Sequence, residues 1–205
     1  MDTGSGTSVA AGELVHGKFE LLAFTEFADP FGHAENIGLA IRETLAAAHW
    51  QPDSMHLLAA NQGPAAYTGL RVGLAAVTAY ASVRNLPLLG ISSLVAAAYE
   101  FLRGNPAETH CSVALEAKRK ELFFQSFQRD TLSPWPVELT DAKLLPVGEL
   151  PTPLPGNWAI KPADARAVAE LALRRWQQSG EAGGIVAQYL RQPDVTPGAG
   201  KRVSG

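Results

Sequence analysis

One stretch constrains this chain more than any other: Asn61-Gln62-Gly63-Pro64-Ala65-Ala66-Tyr67-Thr68-Gly69-Leu70-Arg71-Val72-Gly73-Leu74. An apolar run from Met55 to Ala60 leads into it, and a helix-forming run from Leu74 to Val83 leads out. A strand, a glycine-containing turn and a helix in that order either aim backbone N–H groups at an anion or pack a helix tightly on a sheet. The common phosphate-binding patterns fail here. A Walker loop needs Gly, four residues, then Gly-Lys-Ser/Thr, and Leu70-Arg71 stands where Lys and Ser would be needed. Gly63, Gly69 and Gly73 are too widely spaced for a dinucleotide fingerprint. Gly69 and Gly73 are four apart, which on a helix removes two side chains from one face. Two readings follow: close helix packing inside the domain, or a seam for a partner helix.

The pattern around this stretch is that of an α/β domain. Ser8–Val15 and Phe19–Phe27 read as a hairpin of strands around His16-Gly17-Lys18. His33-Ala34-Glu35 opens a helix running to about His49, with Ile37, Ala40, Ile41, Leu45 and Ala48 as its apolar stripe. Leu88–Ile91 is a short buried strand, and Ser92 or Ser93 caps a third helix to about Leu102. Strand, helix, strand, helix implies a crossover between parallel strands. Arg103-Gly104-Asn105-Pro106 is the best boundary, dividing the chain into residues 1–104 and a smaller lobe, 105–194. In the second part Cys111–Leu115 and Glu121–Phe127 are strands around the charged turn Glu116-Ala117-Lys118-Arg119-Lys120. A proline-rich connection with short strands covers 131–162, a helix runs from about Asp164 to Ser179, and Ile185–Leu190 is extended. Residues 195–205 read as a disordered tail.

Composition bounds the chemistry. With 205 residues, 46% hydrophobic and 18% charged, the chain can bury one large core or two small ones. The net charge of −3 carries no global basic footprint, which disfavours direct nucleic-acid binding. Residues 1–104 hold five Lys/Arg against nine Asp/Glu, and residues 105–205 hold twelve against eleven. The first half is thus the acidic one, suited to a basic partner or simply a solvated surface. The Lys118-Arg119-Lys120 cluster is a solvated turn or, as the lesser reading, an RNA or phosphate contact. The single cysteine, Cys111, excludes an intramolecular disulfide and reads as a small buried hydrophobe. No stretch reaches the roughly 18 apolar residues of a membrane span, and no basic-then-apolar leader is present, so the expectation is a cytoplasmic protein. The five histidines contain no His-x-x-x-His pair, and no metal-ligand cluster stands out.

Gly63-Pro64, Tyr67 and Thr68-Gly69-Leu70-Arg71-Val72-Gly73-Leu74 resemble the Gly-Pro-Gly-Ser-Phe-Thr-Gly-Leu-Arg signature of the TsaB (YeaZ) family, with Ala65-Ala66 in place of Gly-Ser. His33 and Glu35 match that family's His-Ser-Glu, with Ala34 for Ser. Ala114-Leu115-Glu116-Ala117-Lys118-Arg119-Lys120-Glu121 resembles its charged hairpin, Glu116 standing for Asp and Lys120 for Gly. Tyr189-Leu190-Arg191-Gln192-Pro193-Asp194 resembles its closing motif. The resemblance implies two ribonuclease-H-like lobes of the actin-like, hexokinase-like (glycoprotease-like) ATPase fold. Asp2-Thr3 then resembles that fold's first phosphate loop, which an apolar strand precedes. Only Met1 stands before Asp2, so the first strand reads as clipped, either by a late start or by loss of a central strand.

The resemblance further implies a non-catalytic subunit that dimerises with the catalytic subunit TsaD to make threonylcarbamoyladenosine in tRNA, joined by the ATPase TsaE. It implies no cofactor on this chain alone, a nucleotide at the partner interface, an indirect or weak tRNA contact, and a homodimer when the partner is absent. The interface residues so indicated are His33, Glu35, Ile37, Ile41, Leu45, Gly69, Arg71, Gly73 and Val77. On this reading a Gly73→Leu substitution weakens partner binding and leaves the fold intact. The alternatives are a free-standing small ATPase or kinase, which needs Asp2 and a second acidic residue for Mg²⁺, and a peptidase, which the missing zinc-ligand pattern disfavours.

Overall fold

The computed structural model describes residues 1–29, 31–151 and 157–191. Strands β1 (Thr7–Val15) and β2 (Lys18–Phe27) form the expected antiparallel hairpin, with a register shift at Ala11/Gly12. Gly12 faces the ring of Phe19 so closely that a Cβ would collide with it, which accounts for glycine in the middle of a strand. Helix α1 (His33–Ala47) follows and buries Ile37, Ala40 and Thr44, while Ile41 and Leu45 are half-buried.

Strand β3 (Leu58–Asn61), helix α2 (Tyr67–Arg84) and strand β4 (Leu88–Ile91) make the crossover unit, with β3 and β4 parallel and Leu58 opposite Leu88. Helix α2 starts at Tyr67, seven residues before Leu74 where the helix-forming run begins. Asn85 ends it in the left-handed conformation (φ 51°), which asparagine tolerates better than most side chains. Helix α3 (Ser93–Gly104) has Ser92 at its N-cap position, but neither serine caps it through its side chain. The Ser93 hydroxyl instead donates to Pro64 O, 2.7 Å away.

Strands β5 (His110–Glu116) and β6 (Glu121–Gln128) form a second antiparallel hairpin. Three short strands complete their sheet: β7 (Val137–Glu138) and β8 (Lys143–Pro146) on the β6 edge, and β9 (Asn157–Ala159) parallel to β5. Between β5 and β6, Lys118, Arg119 and Lys120 all adopt positive φ (66°, 53° and 60°). Helix α4 (Ala165–Ser179) is capped by Asp164, which accepts from the Arg166 N–H at 2.8 Å. The Ile185–Leu190 run is extended without forming a strand of its own. Gly184 bridges to Leu89, and the Gln188 N–H donates to Gln62 O at 2.7 Å. The tail at 195–205 and the closing Gln192-Pro193-Asp194 lie outside the described residues.

The main core is built from the middle and C-terminal parts of the chain. Leu89, Ile91, Leu94, Val95, Val113, Phe127, Val168 and Leu171 are all essentially inaccessible and belong to one apolar cluster. It joins β4 and α3 to β5, β6 and α4. Helix α4 also packs back onto β1 and β3, and the Ala165 N–H donates to the Ser8 hydroxyl at 3.0 Å. A smaller cluster of Val9, Ile37 and Ala40, with Met1 and Val72 at its edge, fixes α1 on the first hairpin.

Met1 and Asp2 form a stub between the two N-terminal sheets. Asp2 and Ser8 exchange both backbone hydrogen bonds (2.9 and 2.8 Å), an antiparallel pairing with β1. The Met1 amine donates to Ala59 O at 2.8 Å and the Asn61 N–H donates to Met1 O at 2.9 Å, a parallel pairing with β3. The strand that the sequence reads as clipped is therefore represented by two residues, bonded on both sides.

Candidate functional site

The Asn61–Ala66 turn is the meeting point of four parts of the chain. Asp2, buried at 4% exposure, accepts through Oδ1 from the Asn61 side-chain amide and from the Gly4 N–H (3.1 Å). Asn61 Oδ1 in turn accepts from the Gly63 N–H at 2.8 Å. Gly63 O and Pro64 O both accept from Ser93, through its N–H (2.8 Å) and its hydroxyl (2.7 Å). Gln62 O accepts from Gln188 in the C-terminal segment. Gly63 has φ +99°, and a Cβ there would lie 2.7 Å from Gln188 O, so both conformation and contact demand glycine. The Gly63–Pro64 peptide is cis.

This wiring decides what the turn can do chemically. A loop that grips phosphate keeps its N–H groups pointed outward and unpaired. Here the Gly63 N–H is taken by Asn61. The Asp2 carboxylate is buried and engaged by Asn61 and Gly4, and burial pushes its pKa above the usual carboxylate range against the pull of those two hydrogen bonds. Among the described residues no group of three or more His, Cys, Asp or Glu side chains could hold a metal ion. Beside the turn lies a cavity of about 300 Å³. It is lined by Phe31, His33, Tyr67, Lys118, Tyr189 and Arg191 among others. Arg71 stacks over the Tyr67 ring (4.0 Å) and its Nε donates to the Tyr189 hydroxyl at 3.3 Å. Arg191 donates to Ala117 O at 2.6 Å, tying the C-terminal segment to the charged turn.

The structure distributes the sequence-derived interface residues unevenly. Gly69 and Gly73 are buried against their own chain. A Cβ on Gly69 would collide with Thr3 O and lie 2.7 Å from His33 Nε2, and one on Gly73 would collide with the Thr3 hydroxyl. The glycine pair thus serves packing inside the domain, and Gly73→Leu cannot leave the fold intact, contrary to the sequence expectation. His33 is buried and hydrogen-bonded to the Thr7 hydroxyl (3.1 Å). Ile37 and Val77 are core residues, and Ile41 and Leu45 are half-buried against the first hairpin and its neighbouring cavity. Glu35 and Arg71 are exposed.

The outward rows of α1 and α2 carry small residues absent from the interface residues the sequence indicated. Ala34 and Gly38 on α1, and Ala75, Ala79 and Ser82 on α2, are all exposed. A Cβ on Gly38 would meet nothing within 4 Å. Thr3, Asn61 and Ser93 were missed as well. Their role is set by contacts far apart in sequence; the available signals were that Thr3 and Asn61 sit just before or inside a glycine turn and that Ser93 opens a helix.

Among the described residues no helix is long and apolar enough to cross a membrane. Residues 31–133, 103 of the 205, match the family model described as TsaD, tRNA N6-adenosine threonylcarbamoyltransferase. The chain is 29% identical over 168 residues to the tRNA threonylcarbamoyladenosine biosynthesis protein TsaB of Escherichia coli (strain K12), which covers 81% of this chain and 68% of that protein. Its fold is similar to a Pseudomonas aeruginosa protein described as having similarity to peptidase YEAZ (TM-score 0.76, 20% identity, 93% of this chain and 97% of that one). It is similar also to YeaZ from Pseudomonas aeruginosa (TM-score 0.75, 18% identity, 92% and 97%). The architecture is a mixed α/β fold, shared with these two solved structures.

Proposed function

The chain belongs to the TsaD family, in its TsaB/YeaZ branch, and on that premise we propose that it is a non-catalytic subunit that dimerises with a TsaD-like catalytic subunit in making threonylcarbamoyladenosine in tRNA. The observation that carries this reading is the internal use of the phosphate-loop groups. Asp2 is buried behind Asn61, and the Gly63 N–H is spent on the same side chain. A free-standing ATPase or kinase would need that carboxylate and those donors facing a nucleotide and its Mg²⁺.

The partner surface is the outward side of α1 and α2 within residues 1–104. Small side chains at Ala34, Gly38, Ala75 and Ala79 let a partner helix approach closely, and Glu35 and Arg71 lie beside them as charged contacts. The described residues beyond 104, 105–151 and 157–191, belong to the smaller lobe of this reading. The same helices give a homodimer when the partner is absent, and a TsaE-like ATPase joins the larger assembly. Any nucleotide sits at the partner interface, the Lys118-Arg119-Lys120 turn gives a weak tRNA contact at most, and the assembly works in the cytoplasm.

The test is co-purification of the full chain with its source's TsaD homologue, followed by a tRNA modification assay with and without it. A stable heterodimer whose activity depends on this chain is expected. Gly38→Arg and Ala79→Arg, both at exposed positions, are expected to weaken the heterodimer at least about 100-fold without lowering the melting temperature, since truncating or blocking an interface centre typically costs several kcal/mol. Normal binding by both variants would place the interface elsewhere. ATP hydrolysis by the pure chain, lost in Asp2→Ala, would return the free-standing ATPase.

A further inference from the structure

The outward face of α2 and the C-terminal segment meet at one side chain. Arg71 is exposed on that face, its guanidinium 4.0 Å above the Tyr67 ring and 5.8 Å from the Tyr189 ring. Its Nε donates to the Tyr189 hydroxyl at 3.3 Å, and the two rings lie 5.2 Å apart. Both Nη groups lack an acceptor among the described residues, and none of the carboxylates there pairs with Arg71. Arg84 and Arg103, by contrast, are paired with Asp53 and Glu170.

Tyr189 is held on both sides. The Gln188 N–H donates to Gln62 O at 2.7 Å, and Arg191 donates to Ala117 O at 2.6 Å. An arginine free in solvent loses many rotamers when a partner takes hold of it. Here stacking on Tyr67 and the bond at Nε restrict the side chain in advance, which is preorganisation. The guanidinium edge that remains free carries both Nη groups, the fork that meets a carboxylate through two parallel hydrogen bonds. Charge favours the same ligand. Residues 1–104 hold five Lys/Arg against nine Asp/Glu, so a carboxylate has few places on this half of the chain to land. Phe31, 85% exposed, lines the same cavity as Tyr67 and Tyr189. Arginine and aromatic side chains are the types that most often anchor an interface.

We propose that Tyr67, Arg71 and Tyr189 form the anchor of the partner surface, and that its occupant is an Asp or Glu carboxylate of the partner, set beside an apolar side chain that covers Phe31. The inference rests on the partner role proposed above. It adds the class of group that Arg71 takes, and it gives the C-terminal segment the task of holding Arg71 ready.

The test is the affinity of the full chain for its source's TsaD homologue, measured by calorimetry at about 50 and about 300 mM salt. The proteins are the parent, Arg71→Ala, Arg71→Lys and Tyr189→Phe. Arg71→Ala is expected to weaken binding at least about 30-fold and to flatten its salt dependence. Arg71→Lys keeps the charge without the fork and should still bind at least about fivefold more weakly than the parent. Tyr189→Phe keeps the ring but frees Nε, for an expected loss of about three- to tenfold. All three melting temperatures should stay with the parent's, since these side chains are exposed. Parent-like binding by Arg71→Ala, or a loss with unchanged salt dependence, would overturn the proposal and leave the partner role standing. Parent-like binding by Arg71→Lys would overturn the forked carboxylate, and by Tyr189→Phe the part given to the C-terminal segment. A parent chain that does not bind would overturn both readings together.

Discussion

Placing a methyl group on Gly73 tests whether the glycine pair of α2 serves the domain's own packing. Thr3 is 2% exposed and follows Asp2, whose backbone is bonded to β1, while the next N–H, that of Gly4, is held by the Asp2 carboxylate, so Thr3 has little room to yield. A Cβ at Gly73 would overlap its hydroxyl and sit 3.1 and 3.2 Å from its Cγ2 and Cβ. Overpacking of this kind costs about 2–3 kcal/mol. Replacing glycine by alanine inside a helix returns about 1 kcal/mol. The net expectation for Gly73→Ala is a loss of about 1–2 kcal/mol, or about 3–6 °C in melting temperature for a chain of this size. Gly38→Ala is the internal control. It also lies within a helix, but its Cβ meets nothing within 4 Å, so only the propensity gain remains and the melting temperature rises by about 2–4 °C. The decisive arm is Thr3→Ala in the Gly73→Ala background, which removes the colliding hydroxyl and should recover at least half of the loss relative to Thr3→Ala alone. Thermal melts of the parent and the four variants read all of this. Equal melting temperatures for Gly73→Ala and Gly38→Ala, or an absence of coupling to Thr3, would refute the packing argument and return Gly73 to the surface.

Other tests follow from single sites. Asp2→Asn keeps an oxygen for Asn61 and Gly4 while removing a buried charge, so the variant should be at least as stable as the parent at pH 7. The sign of the pH effect follows from the raised pKa. Between the ordinary carboxylate range and the raised value the folded state holds the extra proton, so the Asp2 contribution to stability falls as pH rises, and this component should vanish from the melting profile of the variant. Cys111, inaccessible and pushed up to about 12 by burial, should resist thiol reagents at pH 8 until the protein unfolds. Lys120→Gly should raise stability by about 0.5–1 kcal/mol, because Lys120 holds a left-handed conformation that costs a side chain and suits glycine; an unchanged melt would mean the turn is unstrained.

The elements were legible in the sequence because each has a strong local signal. The first hairpin alternates around His16-Gly17, α1 repeats its apolar positions at helical spacing, and Asp164 marks the start of α4. Local signals failed where a distant contact decides. Helix α2 begins at Tyr67, ahead of the helix-forming run, because Ser93 and Asn61 hold the preceding turn in place. The interface list mixed core with surface for the same reason. Periodicity shows that Ile37 and Val77 lie on an apolar stripe, but cannot show whether the stripe meets the chain's own hairpin or another molecule. Spacing shows that Gly69 and Gly73 share a face, but Thr3, which occupies that face, is 70 residues from Gly73 (73 minus 3). The motif resemblance reached the family because the motif residues cluster at the turn, where long-range wiring is densest.

The contact between α4 and the first hairpin also sets a timetable. Ala165 and Ser8 are 157 residues apart. At about 5–20 residues per second, a ribosome delivers the helix about 8 to 30 s after the strand it covers. For that interval the apolar side of β1 waits uncovered on a chain still being made, long enough for a chaperone to bind and release it many times. The face of β1 that α4 covers is thus completed only once the last helix among the described residues has been made.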